Sequence, residues 1–421
     1  MERKRVVVSA PGKVILFGEH SVVYGKLAVA AAIDKRLFIS LEENNEGTIA
    51  IKLEGFERED KLVVLDIVSL PSFSKKLFEN LLEIEWNVKD TTNGGLSKPP
   101  CFLSSSFQDF LSQGGNKDSW MKNIEEYLES HSSYLSATQA VRAAVFLFVI
   151  CYLTILVYSK ETENTKGLSV TVQSQIPVGA GLGSSASFSV ALITSLLVFS
   201  GDIHSQQLSE DISGALKESI NRWAFVCETF LHGTPSGMDN TIATFGGFLS
   251  YRNGKKETFQ VHSDILRFIV VDSGVPRSTQ KMVSQVRQRY QQFPQIISPI
   301  LTCMDEIAIQ FTHSAASSLV SDIFSQQLAM LMKTNHHLLN AMGVGHPLLE
   351  DIISIAQQFG FEGAKLTGAG GGGCAIILID YGKSIEHVDK LLNTLHSTPH
   401  SYRCFEIVLG GTGVQIHHQT S

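Results

Sequence analysis

The stretch "PVGAGLGSSAS", residues 177–187, sets three glycines and three serines between a β-branched run and an apolar one. Glycine leaves the backbone N–H groups open to close approach, and a Ser-Ser-Ala-Ser opening to an apolar segment supplies good helix N-caps. A helix that starts this way presents unpaired donors and a partial positive charge, which stabilise anions. No Lys-Ser/Thr pair closes the stretch, so it is not a Walker A loop. Two readings follow. It is either an anion-binding turn, in which Ser184 and Ser185 add donors to phosphate or a ligand to Mg²⁺, or a tight connection where a strand meets a helix.

Outward from that stretch, the whole chain narrows the choice. Its 421 residues, 43% hydrophobic and 18% charged, exceed one ordinary core and are too apolar for disorder. Two domains are expected, residues 1–260 and 261–421, with the break near Val261. Acids outnumber bases 41 to 34, the net charge is -7, and no basic block follows the opening "RKR", which argues against nucleic acid as the main partner. Cys101, Cys151, Cys227, Cys303, Cys374 and Cys404 are scattered without paired spacing, so the expectation is reduced thiols in the cytosol rather than a disulfide framework or zinc site. No secretory signal pattern opens the sequence. The apolar run "AAVFLFVICYLTILVY", residues 143–158, is shorter than a bilayer requires and reads as a core helix, not a membrane span.

Strand patterns come early ("RVVVSA", "RLFISLEE", "TIAIKLEG"). The Gly-, Ser-, Pro- and Asn-rich residues 87–119 read as a lid or as a surface insertion. A strand "GLSVTVQSQI" precedes the opening stretch and a helix starts near Ser185. Residues 245–261 read as two strands joined by a turn at Asn253-Gly254. After "DILRFIVVDSGVP", helices alternate with one more strong strand, "GCAIILID", and no internal repeat is visible.

Three further constellations carry chemistry. In "KLTGAGGGGCAIILID", Gly368, Gly370 and Gly373 match G-x-G-x-x-G. A dinucleotide fold needs a strand before that pattern and a helix after it, whereas here the glycines follow a helix and run into a strand. The second constellation, "SAPGKVILFGEHSVVYG", places Lys13, Glu19 and His20 around two tight turns. In the third, "CETFLHGTPSGMDNTIATFGG", Glu228 lies in a helical pattern and Asp239 follows a Gly-Met step, so both acids are able to face one cleft. Buried acids need a partner, and a metal or a lysine would supply it.

Together, "PGKVILFGEHSVVYG", "PVGAGLGSSAS", "HGTPSGMDN", "VPRSTQKMV" and "KLTGAGGGGC" resemble the GHMP kinase superfamily of small-molecule kinases, in order, from about residue 6 to the last strand. Within it they resemble the animal branch that phosphorylates (R)-mevalonate. The likeness implies an α/β (α+β) protein of two domains, an ATP-binding one like domain 2 of ribosomal protein S5 and a ferredoxin-like C-terminal one. It implies that Gly179, Ala180, Gly181, Leu182 and Gly183, with Ser184, Ser185 and Ser174, wrap the triphosphate of ATP, and that Gly370 and Gly371 close against it. Ser185 and Glu228 would hold Mg²⁺. Asp239 would face the acceptor hydroxyl with Lys13 beside it, touching phosphate too, and Glu19, His20, Arg277 and Thr279 would form the acceptor site, Arg277 as counter-ion to a carboxylate. A homodimer, and inhibition by prenyl diphosphates at the ATP site, are also implied. The alternatives are another acceptor (galactose, homoserine or phosphomevalonate), a non-catalytic ligand-binding regulator, and a nicotinamide dehydrogenase resting on the glycine pattern alone.

Overall fold

The computed structural model describes residues 5–54, 61–66, 117–131, 137–157, 167–177, 180–201, 214–232, 235–261, 266–317, 322–380 and 382–417. Two sheets organise them. The first is built on β1 (Arg5–Phe17) and β2 (Ala28–Asn44), long antiparallel partners whose alternating Leu37, Ile39 and Leu41 are fully buried. Proline has no N–H for the ladder, and the register shifts between Pro11 and Lys13. The tight turn expected at Pro11-Gly12 is therefore a bulge inside one strand. Lys13 is a strand residue.

β3 (Thr48–Glu54), β4 (Lys61–Asp66) and β5 (Gly167–Ser174) extend this sheet, with β5 antiparallel to β2 and parallel to β3. β6 (Phe248–Arg252) and β7 (Lys255–Phe259) form the expected hairpin. Its turn residues Asn253 and Gly254 have φ of 49° and 83°, the primed-turn geometry that Asn-Gly favours.

Helices cover one face. α1 (Lys117–His131) leads to α2 (Gln139–Tyr152), which continues as a π-helical turn, Leu153–Val157. The 18 residues Gln139–Leu156 are long and apolar enough to cross a membrane. Their setting decides otherwise, because Val141 and residues 144–152 are buried in the core. α3 (Ser184–Ser200) is apolar on every side and lies on β1 and β2, and its buried Thr194 and Ser195 bond back to carbonyls of their own helix. α4 (Gly214–His232) and α5 (Met238–Phe245) pack on α3. Cys151 on α2 and Cys227 on α4, 76 positions apart in sequence, bring their sulfurs to 3.6 Å, a proximity that spacing conceals. Of the segment read as a lid or insertion, residues 87–116 lie outside the described residues, and 117–119 open α1.

The second sheet has the order β11-β8-β10-β9. In chain order β8 (Arg267–Asp272) is followed by α6 (Thr279–Gln292), α7 (Pro294–Ser317), α8 (Asp322–Ala341) and α9 (Pro347–Gln358), then β9 (Ala364–Leu366), β10 (Cys374–Leu378), α10 (Ile385–Ser397) and β11 (Arg403–Val408). That is the ferredoxin-like β-α-β-β-α-β plan, with its strands in the spatial order fourth, first, third, second. The sequence reading had only β10 after β8. β9 is too short to show a period, and in "RCFEIV" charges interrupt the apolar run.

The chain then returns to the first sheet, where β12 (Gln415–His417) pairs with β1. Arg36 secures this return. Its Nε donates to Ser9 Oγ (2.8 Å), Nη1 to the Thr412 carbonyl (2.8 Å), and Nη2 to the carbonyls of Ser9 (3.0 Å) and Gly413 (2.6 Å). Arg36→Ala removes all four bonds and is expected to cost about 2–4 kcal/mol. Urea unfolding reads this as a lower midpoint at unchanged slope, and a loss under about 0.5 kcal/mol would contradict the assignment.

Candidate active site

The opening stretch is clamped to β1. Lys13 N–H donates to the Leu182 carbonyl at 2.8 Å, and Ser187 Oγ donates to the Pro11 carbonyl at 2.6 Å. Gly183, at φ 76°, is the N-cap of α3, and a Cβ there would stand 2.8 Å from Lys13 Cγ. One on Gly181 would stand 1.4 Å from Arg277 Nη2. Each glycine is thus the space through which a cation reaches the loop. Ala180 and Leu182 are buried in the core, Ser184 and Ser185 are half-buried, and Gly179 lies outside the described residues. Ser174 shapes the approach: its hydroxyl lies 2.8 Å from the Ile176 carbonyl and accepts from Ile176 N–H at 3.2 Å, so it is engaged in the turn itself.

Three elements converge at the N-terminus of α3. Lys13 Nζ lies 3.2 Å from Oδ1 of Asp239, in the first turn of α5, and the lysine is far more buried than the acid, 8% against 36% side-chain exposure. From α4, Glu228 Oε2 accepts from Ser185 Oγ at 3.2 Å. His232, one turn further along α4, puts Nε2 3.3 Å from Ser185 Oγ, a neighbour the sequence reading missed although it opens the quoted "HGTPSG". Burial, and then the charge of Asp239, push the Glu228 carboxyl up to about 8, against the opposing pull of Ser185 and Lys13. Its Oε1 is buried with no hydrogen-bond partner among the described residues.

A buried carboxylate with one oxygen unsatisfied, beside a second acid and a single lysine, fits a hard divalent cation. Among the described residues no group of three or more His, Cys, Asp or Glu side chains is arranged to hold a metal. An ion at Ser185 and Glu228 would therefore draw its other ligands from phosphate and water, which suits Mg²⁺.

The four residues implied for an acceptor divide. His20, at φ 62°, is buried, and its Nε2 donates to the Ala369 carbonyl at 2.8 Å, which leaves Nδ1 as the acceptor nitrogen. Burial holds its pKa below the ordinary histidine value, and Nδ1, like the adjacent Ser21 Oγ, has no partner among the described residues. Glu19 differs. Its side chain is fully buried, one oxygen paired with the Lys365 ammonium and the other accepting from Asn335 Nδ2 at 3.3 Å, so both oxygens are already taken. Arg277 lies between the two glycine runs: Nη1 donates to the Thr367 carbonyl at 2.9 Å, and added Cβ atoms at Gly181, Gly368 and Gly373 would all strike it. Thr279 is exposed at the first position of α6.

The second glycine run joins β9 to β10, so it follows a short strand rather than a helix, and no helix opens from it. The dinucleotide reading fails on that context. Gly371 N–H donates to the Val344 carbonyl at 2.8 Å, and a Cβ on Gly370 would stand 2.1 Å from that same oxygen. The run is therefore packed against the loop between α8 and α9, and Arg277 is the cation that faces the first loop.

Family models described as "GHMP kinases N terminal domain" and "GHMP kinases C terminal" match residues 148–247 and 322–398. The chain is 33% identical to the mevalonate kinase of Homo sapiens over 427 residues, covering 99% of this chain and 96% of that one. Among solved structures, the mevalonate kinase of Methanococcus jannaschii superposes with a TM-score of 0.65 at 22% identity, covering 97% of this chain and 99% of that one. That of L. major, in complex with R-mevalonate, gives 0.62 at 24% identity, covering 98% and 97%. These last two are likenesses of fold. With one residue in three shared along almost its whole length, and with both GHMP domains in place, the chain belongs to the mevalonate kinase family.

Proposed function

We propose that the protein transfers the γ-phosphoryl group of ATP to the primary hydroxyl of (R)-mevalonate, giving 5-phosphomevalonate and ADP for isoprenoid and sterol synthesis. One observation carries this reading: Lys13, Asp239, Ser185 and Glu228, drawn from four separate elements, meet at the N-terminus of α3. A helix N-terminus behind a glycine loop seats phosphate oxygens, and the Lys13 ammonium adds charge beside them. Ser185 and Glu228 would hold Mg²⁺, which when bound would neutralise phosphate charge.

Asp239, set by its ion pair with Lys13, accepts a hydrogen bond from the acceptor hydroxyl and aims its oxygen at the γ-phosphorus. The new O–P bond forms as the bond from the γ-phosphorus to the β–γ bridging oxygen breaks. ADP leaves with that oxygen, and the hydroxyl proton passes to Asp239. In a loose transition state the hydroxyl keeps its proton until late, so orientation outweighs basicity. His20, neutral and with Nδ1 open, accepts from a substrate hydroxyl. Arg277 faces the carboxylate of mevalonate or the phosphate side, next to Gly181.

A non-catalytic relative would have no need for this convergence of lysine, two acids and a hydroxyl. Prenyl diphosphates carry two of the phosphates that the loop seats and no group to transfer, which supports their competition with ATP. The homodimer rests on the family resemblance alone, and a cytosolic setting on the scattered spacing of the cysteines in the sequence.

Asp239→Asn is expected to lower kcat by on the order of 10²- to 10⁴-fold with a far smaller change in KM for mevalonate. Near-normal turnover in this variant would remove Asp239 from the mechanism. For Lys13→Met, steady-state kinetics should show a loss of similar size in kcat, because Asp239 loses its orienting partner and the phosphates lose a charge. A change confined to ATP affinity would make Lys13 a binding residue only.

A further inference from the structure

The turn that carries His20 belongs to the first sheet but is gripped from the second. Residues 365–369 hold it at three points: the Lys365 ammonium on Glu19, Thr367 Oγ1 on the Ile15 carbonyl at 2.8 Å, and the Ala369 carbonyl on His20 Nε2 at 2.8 Å. Asn335, from α8, adds its bond to Glu19.

We propose that Lys365 and Asn335 are positioning residues for the acceptor side, holding through Glu19 the turn that aims His20 Nδ1; this rests on the reading of His20 as a residue that meets the acceptor. Glu19 and Lys365 are both fully buried, and ions in such a place recover little net stability, since an apolar pair of the same shape would serve the fold as well. What the pair supplies is direction. His20 occupies a positive-φ conformation, φ 62° and ψ -44°, close to that of a strained γ-turn, which a non-glycine residue keeps only when its surroundings enforce it. Local bonds close the turn, Ser21 N–H to the Glu19 carbonyl at 2.7 Å and Val22 N–H to the Gly18 carbonyl at 3.1 Å, but they do not set where it sits. Glu19, one residue before His20, attaches it through a fully buried ion pair.

Lys13 and Asp239 are set independently, by Leu182 and by α5, so losing Lys365 should weaken acceptor binding and leave the chemical step largely intact. Lys365→Met is expected to raise KM for mevalonate about 10-fold or more while kcat and KM for ATP stay within about three-fold, and Asn335→Ala to do the same to a smaller degree. Glu19→Gln combined with Lys365→Met leaves no lone buried charge. It should melt at a higher temperature than Lys365→Met alone, yet keep the raised KM, which separates positioning from folding.

If KM for mevalonate stays within about two-fold of wild type in folded variants, or if kcat and both KM values deteriorate together, the proposal is overturned. Should wild-type protein not phosphorylate mevalonate at all, the functional reading fails, and the positioning is then judged from the His20 ring resonances of ¹³C-histidine-labelled protein, identified with His20→Gln. Displacement of those resonances in Lys365→Met supports the role, and unchanged resonances refute it.

Discussion

The bond from Lys13 N–H to the Leu182 carbonyl is the contact on which the rest of the site depends. β1 pairs with β2 along its length and with β12 at Val7–Ser9, so it is anchored in the sheet. Tying the glycine loop to that strand fixes the N-terminus of α3 relative to the strand, and the missing side chain of Gly183 opens the path along which Lys13 runs to Asp239. The loop, the helix end and the ion pair therefore share one rigid reference. Such preorganisation is what phosphoryl transfer asks of a protein, because positioning and electrostatics supply nearly all of the catalysis.

Three acids in and beside the site show how charge is assigned there. Glu19 has a lysine and an amide on its two oxygens and no atom to spare. Asp239 shares Lys13 and keeps a third of its surface open. Glu228 has a serine on one oxygen and no partner on the other among the described residues, and burial raises it to about 8. A lysine already satisfies the first and orients the second, whereas the third is the acid proposed to hold a cation. In each case the partner, more than the residue type, sets the role.

Local chemistry was legible in the sequence and long-range chemistry was not. Asn253-Gly254 demanded its turn, the serines after Gly183 announced a helix, and the apolar residues of α2 required a core, because each signal is complete within a few residues. Pro11-Gly12 misled, since the same dipeptide serves a turn or a bulge and only the partner strand decides between them. That both oxygens of Glu19 are occupied was hidden, because its lysine lies 346 positions away. Nothing in "VPRST" shows that Arg277 lies between two glycine loops. β9 and β12, three residues each, exist only because longer neighbours recruit them into sheets.

The most direct measurement is ADP release with Mg-ATP in a coupled assay, offering (R)-mevalonate, galactose, homoserine and 5-phosphomevalonate separately. The account predicts turnover confined to mevalonate. Turnover on another of the four would keep the phosphoryl-transfer site but reassign its acceptor, and silence on all four by protein that binds ATP would contradict the central claim that these residues form a working kinase.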